Sequence, residues 1–299
     1  MSRPAGSAAR SSAASTTTRV SARSRRADSA FDVARAGRLT LRSAMIAIPR
    51  IIARIPILRG VFRIALESYA RLFRGRFLVE RRMGLRLLLD PENVIDRSIL
   101  LAGTWEKDVV DTLFGLVEEQ QRRDKRPAVF LDVGAHWGLY ALMARQSGLF
   151  ERIVAFEPDP TNYAQLQANL FLNGAENDIE ALPLAASDRE RTFGLYVRTR
   201  RNRGGTRLVE AAEPGQVTCR AVRLDRQLDL KDKLLVVKMD VESHEIEAID
   251  GMLGLLANNR CVLQLEIWDA PDMEEGQRRL RHFEALLARY DVKLVHAIV

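Results

Sequence analysis

Val129-Phe-Leu-Asp132-Val-Gly134-Ala-His-Trp-Gly138 is a hydrophobic run that ends in a glycine-bearing turn and opens into a helical stretch. Gly134 and Gly138 allow the backbone to approach a ligand closely, and a helix N-terminus offers free N–H groups to an anion. A second run, Ile153-Val-Ala-Phe-Glu157-Pro-Asp159, places a carboxylate 19 residues after Gly138. In a strand–helix–strand unit, a carboxylate at that position can accept both ribose hydroxyls. Asp159 and Pro160 suit the N-cap and first turn of the next helix.

Outward from this stretch the pattern repeats. Strands are expected at Ala128–Val133, Arg152–Phe156, Ile179–Leu184, Leu234–Met239, Cys261–Ile267 and Val292–Val299. Helical periods are expected at Leu139–Arg145, Thr161–Asn173, Glu245–Ala257 and about Met273–Tyr290. Buried, β-branched strands alternating with helices predict an α/β fold with a doubly wound, mostly parallel sheet covered on both faces. Between the third and fourth strands, Phe193–Val197 and Val217–Val222 read as strands flanking a glycine-containing loop, so an inserted hairpin is expected there. Ile246, Ile249, Met252, Leu253 and Leu256 form the buried face of one helix.

Charge divides the 299-residue chain. Residues 1–76 hold 16 Arg, no Lys and only Asp28, Asp32 and Glu67, a balance of +13. The overall charge is +7, so the remainder carries −6. The basic character belongs to an arm rather than to the folded body, which argues against a nucleic-acid partner. Residues 1–43, rich in Arg, Ser and Ala, lack the apolar side chains to offset ordering entropy and are expected to be disordered. Their composition fits a plain tail or an organellar targeting segment. Residues 44–76 alternate apolar clusters with arginines. That segment suits a helix packed on the body, or peripheral contact with an anionic membrane at its cytoplasmic face. Residues 77–299 are expected to form the catalytic domain, with 77–127 as an N-terminal cap and 128–299 as the nucleoside-binding core. Two distant cysteines, Cys219 and Cys261, exclude a disulfide scaffold and point to a reducing, cytoplasmic setting. No metal site is supported, and no apolar run approaches the roughly 18 residues of a spanning helix.

The turn and the distal carboxylate fit a dinucleotide or S-adenosylmethionine. The glycine spacing favours the latter, because G-x-G-x-x-G is absent and an extra acid, Asp132, precedes the first glycine. Asp132 would complement the cationic methionine end through water or backbone.

The chain resembles the FkbM-type family of S-adenosylmethionine-dependent methyltransferases over about residues 84–299. The resemblance rests on Gly103-Thr-Trp-Glu106, the stretches around Gly134 and Glu157, Ala186-Ser-Asp188, Asn202-Arg-Gly-Gly-Thr206, Leu224-Asp225 and Val237-Lys-Met-Asp-Val-Glu-Ser-His-Glu245. It implies the Rossmann-like class I fold, S-adenosylmethionine as cofactor, and methyl transfer to a hydroxyl of a sugar, glycolipid or secondary metabolite. It places Asp132, Gly134, Ala135, His136, Gly138, Glu157 and Pro158 around the cofactor. Glu106 would close the methionine pocket, and Ser187 and Asp188 would meet adenine, although Ser-Asp is also common in turns. The family pattern has Asn at His136 and Gly at Ser243. His136 is expected to keep the Asn role with an added pH dependence, and Ser243, freed of positive φ, to cap the following helix. The chain stops soon after Val292, so the last antiparallel edge strand of the usual fold is expected to be missing or formed differently.

Methyl transfer to a hydroxyl requires alignment and removal of a proton. Lys238, Asp240 and Glu242 cluster at the end of the fourth strand, with Glu266 near the end of the fifth. Asp240 is expected to align or deprotonate the acceptor, with Glu242 as second choice and Lys238 orienting a carboxylate or lowering the acceptor's pKa; a structural ion pair is the alternative for Lys238–Asp240. His244 is a candidate base too, although a histidine in the first turn of a helix is more often solvated. Asn202, Gly204, Gly205 and Thr206 suit a mobile lid or a plain hairpin tip, and Trp105 and Trp137 suit stacking or core. His282 and His296 are read as structural. Two rival readings stay open: a scaffold that keeps the fold without catalysis, and a NAD-dependent α/β oxidoreductase.

Overall fold

A computed structural model describes residues 64, 68, 77–199, 202–210, 216–266, 281 and 283–297. The basic arm, all but two residues of 44–76, and half of the helix expected over 273–290 lie outside them, as does His282. The continuous part opens with a hairpin, β1 (Leu78–Arg82) and β2 (Leu85–Leu89). Met83 and Gly84 turn it, both at positive φ, in the primed geometry that matches strand twist. Helix α1 (Val94–Ala102) follows, its first turn capped by the Asn93 side chain accepting from Ile95 N, and then α2 (Lys107–Asp124).

From there strand and helix alternate: β3 (Ala128–Val133), α3 (Leu139–Ser147), β4 (Arg152–Phe156), α4 (Pro160–Leu172) and β5 (Ile179–Leu182). Asp159 caps α4 by accepting from Thr161 N and Asn162 N. The chain then makes β6 (Leu184–Ala186), β7 (Arg191–Thr199), β8 (Asn202–Val209) and β9 (Thr218–Val222). It continues through α5 (Leu224–Gln227), β10 (Leu234–Met239), α6 (Glu245–Asp250), α7 (Leu253–Asn258) and β11 (Arg260–Glu266). A helical stretch at 283–287 and β12 (Val292–Ala297) complete the described chain.

Six strands form one sheet in the order β12-β11-β10-β3-β4-β5, every pair parallel. The chain winds outward from β3 through β4 to β5, returns, and winds the other way from β10 to β12. This is the doubly wound, Rossmann-like arrangement that the alternation predicts, and it leaves a switch point where β3 and β10 part. Ligands of such sheets bind outside the carboxyl ends at that point. Alternation along β3 feeds two cores: Phe130 joins Leu87, Ile99, Leu113 and Leu142 on one face, whereas Val129 and Leu131 join Ile249, Met252 and Leu256 on the other. The 77–127 segment therefore shares its core with the sheet.

Side chains of α4 bond the outer edge of β2. Asn169 Oδ1 accepts from Leu88 N at 2.6 Å and Gln165 Nε2 donates to Leu88 O at 2.8 Å. One turn on, Asn173 bonds both Arg86 N and Arg86 O. Residues at i, i+4 and i+8 share a helix face, so three amides do the work of a neighbouring strand.

Several boundaries differ from expectation. The strand expected over Ile179–Leu184 breaks at Pro183, which has no N–H for the ladder, and β6 pairs with β9 instead. The second sheet has the order β6-β9-β7-β8, so the glycine-containing segment is itself strand β8, paired antiparallel with β7, rather than a loop. The helix expected over Glu245–Ala257 divides at Gly251, where a Cβ would lie 1.9 Å from Ser187 O. The described strands of the main sheet include no antiparallel edge.

Candidate active site

The turn after β3 is built around a backbone contact. A Cβ on Gly134, at φ 78°, would lie 1.8 Å from Asp240 O, and Asp240 N donates to Val133 O at 3.0 Å. Only a residue without a side chain lets the two strand ends meet this closely. Ala135 follows, and then His136, whose N–H donates to Glu157 Oε2 at 2.7 Å. Glu157 Oε1 accepts from Asp159 N at 2.9 Å and, more weakly, from Asn162 Nδ2. The carboxyl is 4% exposed, and burial outweighs these donors, pushing its pKa up to about 8.

Gly138 occupies the N-cap position of α3 without a capping side chain. Asp132 supplies the missing acceptor from inside the sheet, its Oδ2 taking Ala141 N at 3.0 Å. Burial moves its pKa up to about 6 against the pull of Lys238, whose Nζ stands 4.0 Å from Oδ1. The Asp132 side chain thus faces the helix end and Lys238. Its assigned influence on a cationic ligand would run through that lysine and the backbone.

Strand register explains the rest. Lys238 stands opposite Asp132 on one side and Gln264 on the other. Two residues on, with the same side-chain direction, come Gly134, Asp240 and Glu266. Lys238 Nζ donates to Gly134 O at 3.1 Å, lies 3.6 Å from Asp240 Oδ2, and sits 5.3 Å from the Tyr140 ring centre. Burial pulls the ammonium down, but Asp240, Asp132, Glu266 and Glu106 outweigh it and hold its pKa above the ordinary value. Asp240 Oδ1 is buried with no hydrogen-bond partner among the described residues. Burial, and then the charge of Asp240, push Glu266 up to about 8. Tyr140 donates to Glu106 Oε2 at 2.7 Å and accepts from Gln264 Nε2 at 3.1 Å.

Two cavities meet here. One, of about 60 Å³, is lined by Glu157, Pro158, Ala185, Ala186 and Arg203 among others. The other, of about 220 Å³, is lined by Trp105, Glu106, Ala135, Tyr140, Lys238 and Glu266 among others. They share Ile95, His136, Gly204, Asp240 and Glu242. Most residues singled out in the sequence are thereby brought together, and Trp105 faces the larger cavity. Gly204 and Thr206 face the site from β8, a paired strand rather than a free lid.

Some assignments change. Ser187 is 0% exposed and lines neither cavity; Leu184, Ala185 and Ala186 form the wall in its place. Its Oγ lies 3.2 Å from Asp188 Oδ1 and 3.0 Å from His244 Nε2. His244 is not a solvated residue: it packs edge-on to Phe193, with Nδ1 3.6 Å from Glu247 Oε2. His136 does not bring a pH dependence near neutrality, because burial, with Lys238 and Arg203 nearby, takes its pKa down to about 3. Ser243 keeps the positive φ expected only of glycine, 77°, beside Glu242 at 52°. It does not cap α6 either, since that helix begins after His244, and Ser243 N donates to Glu245 Oε1.

Tyr140, Gln264 and the weight of Glu266 were not apparent from the sequence. Tyr140 sits in an apolar helical turn, and Gln264 and Glu266 gain meaning only through the β10–β11 register. No group of three His, Cys, Asp or Glu side chains among the described residues could hold a metal ion, and no described helix is long and apolar enough to cross a membrane.

Residues 132–293 match the family model described as the methyltransferase FkbM domain. The hexuronic acid methyltransferase AglP of Haloferax volcanii is 28% identical over 203 residues, 63% of this chain and 72% of that protein. The AMB antimetabolite synthetase AmbE of Pseudomonas aeruginosa is 28% identical over 145 residues, 46% of this chain but 7% of that much longer protein. Among solved structures, the FkbM methyltransferase from Methylobacillus flagellatus KT has a TM-score of 0.38 and 19% identity, covering 55% of this chain and 37% of its own. An S-adenosylmethionine-dependent methyltransferase from Agrobacterium tumefaciens has a TM-score of 0.40 and 13% identity, covering 75% and 62%.

Proposed function

This chain belongs to the FkbM methyltransferase family, and on that premise we propose that it methylates a hydroxyl oxygen of a sugar, glycolipid or secondary metabolite with S-adenosylmethionine. The observation that carries the reading is the contact between two strand ends: the Gly134 turn, bound to Glu157 on one side, meets Asp240 on the other. A nucleoside held by the first and an acceptor held by the second would share one cleft. Glu157 faces the smaller cavity with acceptor capacity beyond its three donors, which suits ribose hydroxyls. His136 offers a neutral ring to the same space.

When bound, S-adenosylmethionine supplies an electrophilic methyl group and its sulfur takes the electron pair of the broken bond. Lys238, fixed by Gly134 O, holds Asp240 by Oδ2 at the wall of both cavities, where its carboxylate would take the acceptor's proton. Glu242, near Arg207 at 3.9 Å, faces both cavities and suits a contact to the acceptor. A hexuronic acid methyltransferase among the relatives supports a sugar acceptor.

Calorimetric titration of the full chain with S-adenosylhomocysteine, with NAD as control, tests the cofactor. Micromolar binding of the homocysteine compound alone is expected. Binding of NAD alone overturns the reading, and silence from both in a folded chain favours the scaffold.

A further inference from the structure

Glu266 is the last residue of β11, and neither the turn nor the nucleoside carboxylate accounts for it. Strands β10 and β11 run parallel and in register to Met239 opposite Leu265. The next residues, Asp240 and Glu266, therefore leave neighbouring strands side by side, about 4.8 Å apart along the sheet. Both line the larger cavity. Two partly buried carboxyl groups at this spacing resist joint ionisation, and Lys238 offsets that repulsion only in part.

We propose that Glu266 is a catalytic residue: Asp240 and Glu266 act as one carboxyl pair that receives the acceptor's hydroxyl proton. The proposal rests on the methyltransferase reading and adds the proton's route to it. In the working form both carboxyls are ionised. As the acceptor oxygen bonds the methyl carbon and the carbon–sulfur bond breaks toward sulfur, the hydroxyl proton passes to the Asp240 carboxylate, leaving the pair singly protonated. Release of that proton to solvent restores the ionised pair. Ionised together, the pair is a stronger base than an isolated aspartate, because its first proton is bound more tightly.

The charges facing Glu266 come from each element packed around it: Asp240 and Lys238 from β10 and its end, and Glu106 from the start of α2, whose carboxylate Tyr140 of α3 bonds. Lys238 opposes the rise and the two acids reinforce it. Glu266 is thereby pushed up to about 8, above an ordinary carboxyl.

The test needs no acceptor. Affinities of the full chain for S-adenosylmethionine, which is cationic at sulfur, and for the neutral-sulfur homocysteine product are measured by calorimetry from pH 6 to pH 9.5. Buffers of differing ionisation heat report the protons exchanged. The cation should gain about fivefold over the product as the pair ionises, the size of one partly screened charge, with proton release. Glu266→Gln should abolish the gain while keeping product affinity, and Glu266→Asp should restore part of it. A pH-independent ratio in the unmodified chain, with the product bound at micromolar affinity, overturns the pair and leaves the methyltransferase reading standing. Failure to bind the product at all overturns that reading itself.

Discussion

Glu157 and Asp240 flank the same glycine turn, yet the fold treats them in opposite ways. Glu157 is tied by His136 N, Asp159 N and Asn162 Nδ2, so both oxygens are fixed. Asp240 is held at Oδ2 by Lys238, and its Oδ1 has no hydrogen-bond donor among the described residues. A carboxylate with both oxygens anchored by donors, and capacity to spare, is suited to hold a ligand in place. A carboxylate with one bound and one free oxygen is suited to move a proton.

The largest effect should come from a change that destroys both halves. Gly134→Ala puts a Cβ against Asp240 O at a left-handed φ, and should cost about 4 kcal/mol or more, lowering the melting temperature and abolishing product binding. Full stability in that variant would mean that the strand ends do not meet as described. Asp240→Asn should separate the halves. Turnover should fall about 10²–10⁴-fold, as for loss of a general base, while calorimetry finds affinity for S-adenosylhomocysteine unchanged. Glu157→Ala should show the reverse pattern, with cofactor binding weaker by about 1.5–3 kcal/mol and turnover recovered at saturating cofactor. Exchange of these two outcomes would invert the division of labour.

Ser243→Gly should act least, and on stability alone. A non-glycine residue at φ 77° costs about 1–2 kcal/mol. The extra unfolded-state freedom of glycine returns about 0.4–1 kcal/mol of that. Chemical denaturation should thus show a net gain of about 0.5–1 kcal/mol, and a loss would mean that the Ser243 hydroxyl has a bond worth more than the strain.

The same contrast separates what was legible in the sequence. Strands β3, β4 and β10 fall on their expected residues because each is a short apolar run bounded by turn residues, and Asp159-Pro160 marks a helix start by local chemistry. Glu157 was legible too, since its position relative to the turn is fixed along the chain. The polar rows Asp132–Lys238–Gln264 and Gly134–Asp240–Glu266 were half legible. Each residue is visible, but strand register decides which of them are neighbours, and register is not local information. Ser187 was misplaced for the same reason: Ser-Asp after a strand suits either a ligand or a turn, and only the packing of α6 turns the hydroxyl toward His244. The backbone strain at Ser243 is invisible in residue identity, because the sequence offers a side chain where the geometry favours none.

The three amides of α4 that bond β2 carry a consequence for self-association. A two-stranded ribbon leaves an open row of N–H and C=O groups on each side, the usual template for adding a foreign strand and seeding aggregates. On the β2 side Gln165, Asn169 and Asn173 already occupy that row. Among the described residues the β1 side is what remains, and there Arg82 Nη1 donates to Arg81 O and pairs with Glu80.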